Sequence, residues 1–202
     1  MRSLELPVTI RTPRQDELPD DERTRQKLME REAANIVQGF TLRQNLSNDH
    51  PFKIYAEINV DNVNLWALFK ALTLEFPEEV CLVYRHIDDE PSFGRYMGKS
   101  ELMDQIQPFE FELTRDGFLE FGIIYQDEKS LQEIYIKKAK YIQYWGMNEA
   151  AFRKTLTDFE IYEIEDLNFI DEYPLATESL GSHFPEAIET MNLLEQLKDR
   201  CS

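Results

Sequence analysis

Asp116-Gly117 sits between two apolar runs and constrains this chain more than any other pair of its residues. Glycine accepts the positive φ that a two-residue type I′ loop demands, so the dipeptide predicts a β-hairpin. Residues 109–115 and 118–125 then become antiparallel partners, with Phe109 opposite Ile124, Phe111 opposite Gly122 and Leu113 opposite Glu120. Leu119, Phe121 and Ile123 crowd the other face, and a strand apolar on both faces belongs in the middle of a sheet. Residues 131–137 return beside it after a short polar loop. The expected centre is an antiparallel meander.

The rest of the chain supplies helices to cover that sheet. A strand at 52–60 alternates Ile54, Ala56, Ile58 and Val60 with Tyr55, Glu57 and Asn59, the period-2 signature of a half-buried strand. Asp61 or Asn62 caps a helix whose stripe is Leu65, Leu68, Phe69, Leu72 and Phe76, stopped by Pro77. Residues 80–87 read as another strand, 88–98 as an acidic loop and 99–107 as a short helix. Asn148 caps a helix with Phe152, Leu156 and Phe159 on one stripe, and a last amphipathic helix starts near Pro185. Before this body, Pro13 and Pro19 bracket a charged loop. A helix follows from Asp20 or Asp21, with Met29, Ala33, Ile36, Val37 and Phe40 at helical spacing. The expected fold is α+β, an antiparallel sheet with helices packed on it. Residues 1–50 form an arm or helical extension, residues 45–51 a linker, and residues 51–202 a single main domain with an acidic C-terminal segment.

Charge narrows the partners. The chain of 202 residues carries 39 acids against 22 Lys and Arg, a formal charge of −17. Residues 146–202 alone hold 13 acids and 4 bases. Such a surface repels nucleic acid and attracts cationic partners. Cys81 and Cys201 form no CxxC pair or disulfide framework, which fits a reducing compartment, with Cys81 expected in the core. Residues 1–14 lack the apolar run of a signal peptide, and no stretch has the roughly 20 apolar residues of a membrane span. The expectation is a cytoplasmic protein.

No dinucleotide fingerprint, phosphate-binding loop, zinc-protease motif or nucleophile elbow occurs. Cys81 and His86, five apart on one strand, point to opposite faces and cannot act together there. His86 with Asp88, Asp89 and Glu90 has neither EF-hand nor closed zinc-site spacing. Lys137, Lys138 and Lys140 lie among Tyr135, Tyr141, Tyr144 and Trp145, but the plainer role for these lysines is protecting a sheet edge or pairing with neighbouring acids. The pattern calls for no metal and no cofactor.

The strongest surface feature is the series Glu160, Glu163, Glu165, Asp166, Asp171, Glu172 and Glu178, interleaved with Tyr162, Phe169 and Tyr173. Aromatic anchors inside a charged rim suit a protein-binding surface. Asp88, Asp89 and Glu90 offer a second patch. With Phe169-Ile170-Asp171-Glu172-Tyr173-Pro174 in these acidic surroundings, the chain resembles the small acidic immunity proteins of bacterial toxin–immunity systems. The resemblance implies a non-enzymatic inhibitor that occludes a basic toxin or nuclease domain. Two other classes compete: an enzyme with a carboxylate or metal site built from Asp88, Asp89 and Glu120, and a structural or regulatory adaptor, for instance a homodimer through a strand edge or the terminal helix.

Overall fold

The computed structural model describes residues 3–47 and 51–202; residues 48–50 of the expected linker and the first two residues lie outside them. Seven strands form one antiparallel sheet: β2 (Gly39–Gln44), β3 (Ile54–Asn59), β4 (Glu79–His86), β5 (Ser92–Gly98), β6 (Leu119–Gln126), β7 (Leu131–Ile136) and β8 (Ile142–Gly146), in the spatial order β2-β3-β8-β7-β6-β4-β5. The short β1 (Ile10–Arg11) pairs separately with β9 (Ala176–Thr177). Helices α2 (Asn62–Thr73), α3 (Lys99–Ile106), α4 (Glu110–Arg115), α5 (Glu149–Asp158) and α7 (Thr190–Cys201) cover one face of the sheet. Helix α1 (Glu22–Glu32) has no buried residue, and α6 (Leu180–His183) is a single turn. No helix of the described residues is long and apolar enough to cross a membrane.

The core follows from strand alternation. Ala56, Ile58, Tyr144, Ile142, Ile134, Ile136, Ile123, Phe121, Leu82 and Tyr84 share one face by their pairing, and they cluster with Leu65, Phe69, Phe152, Leu156, Leu193 and Leu197 of the helices. Phe121 is wholly buried on the interior strand β6, with its ring centroid 5.4 Å from that of Phe69. The alternation at 54–60 and the stripe on α2 thus lead directly to the observed packing. A second cluster of Ala139, Tyr141, Leu167, Phe169 and Ile170 closes one end of the other face.

The Asp116-Gly117 hairpin is corrected. Residues 109–115 are helical, not a strand, and the dipeptide joins α4 to β6. The stripe Leu102, Ile106, Phe109 and Leu113 recurs every three or four residues, all four buried, so the helical period outweighs the alternation of three apolar residues. Asp116 serves the turn by accepting the Phe118 amide at 2.9 Å. Gly117 has no positive φ. Its lack of a side chain makes room for β1 and β9: a Cβ there would lie 2.6 Å from Ile10 Cδ1 and 2.8 Å from Thr177 Cγ2. The meander instead runs β6-β7-β8, with Phe121 opposite Ile136 and Ile134 opposite Tyr144.

Three further expectations change. The acidic loop at 88–98 contains a strand, β5. Helix α1 stops at Glu32, and Phe40 sits in β2, hydrogen-bonded along the chain to Tyr162 and Ile164. The last helix starts at Thr190 rather than near Pro185.

Candidate interaction surface

Sheet pairing sorts the helix-free face into rows. Arg43, Tyr55, Trp145, Glu133, Ile124, Cys81 and Tyr96 lie side by side across all seven strands, and Thr41, Glu57, Gln143, Tyr135, Gly122, Val83 and Phe93 form the next row. Tyr55 and Trp145 meet with ring centroids 5.0 Å apart, and Gln143 donates to the Tyr55 hydroxyl at 3.1 Å. At the end of the rows, Phe93 is 61% exposed and Tyr96 45% exposed. They are three residues apart yet face the same side, because β5 carries an extra residue between Cys81 and Val83 of β4.

The carboxylates expected to bind a partner divide into two sets. Glu163 is ion-paired to Arg153 at 2.7 Å, and Glu172 accepts the Phe169 amide at 3.2 Å. Phe169 is buried against Tyr141, ring centroids 5.0 Å apart, so it is a core residue and not a surface anchor. Asp171 lies beside Tyr141; burial raises its pKa above the usual carboxylate range. Tyr173 has the Lys27 ammonium 5.7 Å above its ring. Glu160 occupies the left-handed position that ends α5, with φ of 58°. Among the described residues, Glu160, Glu165 and Asp166 remain exposed and in no ion pair, as do Asp89 and Glu90 in the β4–β5 hairpin, where Asp88 has His86 at 3.8 Å. Two acidic patches survive, and the one in the hairpin adjoins the exposed aromatics of β5.

Three bases near that hairpin have internal partners, while Lys198 of α7, across a small cavity from it, is exposed. Arg85 binds Glu120 at 2.6 Å, Arg95 binds Glu101 at 3.0 Å, and Lys99 donates to the carbonyls of Leu74 and Phe76 at 3.1 and 2.9 Å. A cavity of about 190 Å³ opens between the hairpin and α7, lined by Tyr84, His86, Asp89, Met191 and Leu194 among others. Met191 is itself 50% exposed.

Of the carboxylate set Asp88, Asp89 and Glu120, the first two are exposed in the hairpin and the third lies buried on β6. Glu120 is buried; desolvation pushes its pKa up, but bonds from Lys137, the Lys138 amide and Arg85 outweigh this and hold it below the usual range. A general acid needs the opposite shift. Among the described residues, no group of three His, Cys, Asp or Glu is placed to hold a metal ion.

Sequence reasoning missed two perturbed groups. Glu133, half-buried between Trp145 and Ile124, makes no hydrogen bond or ion pair among the described residues, and desolvation raises its pKa to about 7. Lys140 is buried with φ of 62°, ending the β7–β8 hairpin; its ammonium donates to the Leu119 carbonyl at 2.7 Å, and burial lowers its pKa to about 8. Strand alternation around Glu133 was readable, but its lack of a partner was not. Lys137, Lys138 and Lys140 connect two interior strands and so protect no edge, but Lys137 pairs with the neighbouring Glu120 at 3.0 Å, the other role expected for these lysines. Cys201 is buried in the main core, and Cys81, expected there, is buried with its thiol 3.0 Å from the Gly94 carbonyl; both thiols are free.

No protein-family model, no curated protein and no solved structure matches this chain.

Proposed function

We propose that this protein is a non-enzymatic acidic binding protein that occludes a basic, nucleic-acid-binding partner, such as a toxin or nuclease domain, in the manner of an immunity protein or inhibitor. One observation carries the reading. Arg85, Arg95 and Lys99 near the β4–β5 hairpin have internal partners, whereas among the described residues the carboxylates of Asp89 and Glu90 beside them, and of Glu165 and Asp166 elsewhere, are exposed and form no ion pair, and the exposed Lys198 across the small cavity is outnumbered by them. The surplus charge therefore projects outward, where it steers a cationic surface into contact and competes with phosphate for it.

The enzymatic alternative has Glu133 in its favour, a carboxyl raised toward neutrality in a desolvated place. Its cross-strand neighbours are Trp145 and Ile124, which supply neither a second acid nor a nucleophile. Binding is the better-supported class.

The test is capture from the cells of origin, followed by reconstitution with the retained protein in purified form. The expected result is a basic protein bound one to one, displaced from nucleic acid by the chain, with association slowing as salt rises from 0.02 to 0.15 M. A partner whose association ignores salt, or retention of neutral and acidic proteins alone, would overturn the reading.

A further inference from the structure

We propose that β5 is the docking strand, and that the partner contributes an extended, basic segment that adds to it as an eighth strand of the sheet. The inference rests on the reading of the protein as an acidic binder and names where and how that binding occurs.

The free edge comes first. β5 ends the seven-stranded order, and among the described residues no backbone hydrogen bond joins Ser92–Gly98 to any element other than β4. At the opposite end of the sheet, β2 is engaged by the segment through Tyr162 and Ile164, with the Phe40 amide donating to Tyr162 and the Ile164 amide to Phe40 at 3.0 and 2.9 Å. An unpaired strand edge offers a row of main-chain donors and acceptors to an incoming strand.

Side chains then select the guest. Phe93 and Tyr96 stand on one face of β5 and continue the rows of the helix-free face to its rim. They give apolar anchors to alternate residues of an added strand. The Tyr96 hydroxyl is fixed in place, receiving the Gln126 amide at 3.1 Å. On the other face Gly94 lets the end of α7 close down, since a Cβ there would lie 2.5 Å from the Cys201 carbonyl oxygen. The helix braces the edge without covering it.

Charge decides between a basic segment and a second copy of this chain. Asp88, Asp89 and Glu90 are exposed at one end of β5, and Glu78 and Glu79 at the other, where Glu79 pairs with Gly98. Two copies paired antiparallel through β5 would set the hairpin acids of each against Glu78 and Glu79 of the other. Like charges in that arrangement repel. An extended lysine- or arginine-bearing segment meets acids at both ends instead.

The test uses the full chain and a nine-residue peptide of alternating lysine and valine, with a second peptide N-methylated on alternate amides and a third of alternating glutamate and valine. Calorimetry measures binding, and amide hydrogen exchange locates it. The expected result is binding of the first peptide with new protection across Ser92–Gly98, at least tenfold weaker binding after N-methylation, and no binding of the acidic peptide. Asp88→Asn/Asp89→Asn/Glu90→Gln should weaken the first peptide about tenfold and flatten its salt dependence. Binding of the basic peptide that is insensitive to N-methylation, or that protects other residues, overturns the docking strand and leaves the acidic-binder reading standing. Indifference to all three peptides overturns the docking strand, while the acidic-binder reading is judged separately by the reconstituted partner. Protection of Ser92–Gly98 that rises with protein concentration alone assigns the edge to a second copy and overturns the proposal.

Discussion

Arg85 and Glu120 lie directly opposite each other on β4 and β6, and the guanidinium places two N–H groups on one carboxylate oxygen, at 2.8 and 2.6 Å. The same oxygen accepts the Tyr135 hydroxyl at 3.1 Å, while the other takes the Lys138 amide at 3.0 Å and the Lys137 ammonium at 3.0 Å. Removing the charge strands two cations on the sheet. Glu120→Ala is expected to cost about 3–5 kcal/mol, read as a lower urea midpoint. Asp89→Asn, on the exposed hairpin, should leave the midpoint unchanged.

Glu133 makes stability fall with rising pH. Its folded pKa of about 7 stands above the 4.5 of a free glutamate, so between these values the folded state binds the proton that the unfolded state has released. Relative stability is full below pH 4.5, is lost as pH climbs through 7, and stays lost above. Glu133→Gln should match the parent at pH 4 and exceed it by about 1–3 kcal/mol at pH 8. Denaturation across that range checks it; a constant difference between the two proteins would contradict the assignment.

Phe121 is wholly buried among Trp66 and Phe69, with centroid distances of 6.5 and 5.4 Å. Phe121→Ala should cost about 3–5 kcal/mol. Phe93→Ala, at an exposed position on β5, should stay within about 0.5 kcal/mol.

Both cysteines should resist a thiol reagent in the native protein. Cys81 is 3% exposed and Cys201 fully buried, and desolvation raises both thiol pKa values, that of Cys201 to about 11. Labelling is expected to track unfolding for both. Fast modification of Cys201 with the rest of the fold intact would place the end of α7 off the sheet.

Glu160 holds a left-handed backbone at the end of α5, with its amide on the Thr157 carbonyl and that of Ile161 on Leu156, both at 2.9 Å. This is where helices favour glycine. Glu160→Gly should raise stability by about 1 kcal/mol, measured as an increase in Tm.

The parts of the fold that were legible were those with an unbroken period. Ile54, Ala56 and Ile58 alternate, Leu65, Leu68, Phe69 and Leu72 recur at helical spacing, and Asn148 caps α5 by accepting the Ala151 amide at 3.1 Å. Strand β5 was hidden because Phe93 and Tyr96 are three apart across a bulge and Gly94 packs through its missing side chain. Gly117 misled for a related reason: its contacts are with Ile10, Thr9 and Thr177, residues far away in sequence. The acidic series was plain to see, but which carboxylates are tied to Arg153, to backbone amides or to Tyr141 depends on the packing.

The ladder between β1 and β9 sets the order in which the chain can come to rest. Arg11 and Glu178, separated by 167 positions in sequence, meet at 2.6 Å, and Gly117 donates to the Thr9 hydroxyl at 3.1 Å. During synthesis β1 leaves the ribosome with its strand partner still untranslated, and contacts this distant form slowly. β1 is therefore among the last parts of the fold to settle, and it does so onto a sheet already assembled behind it.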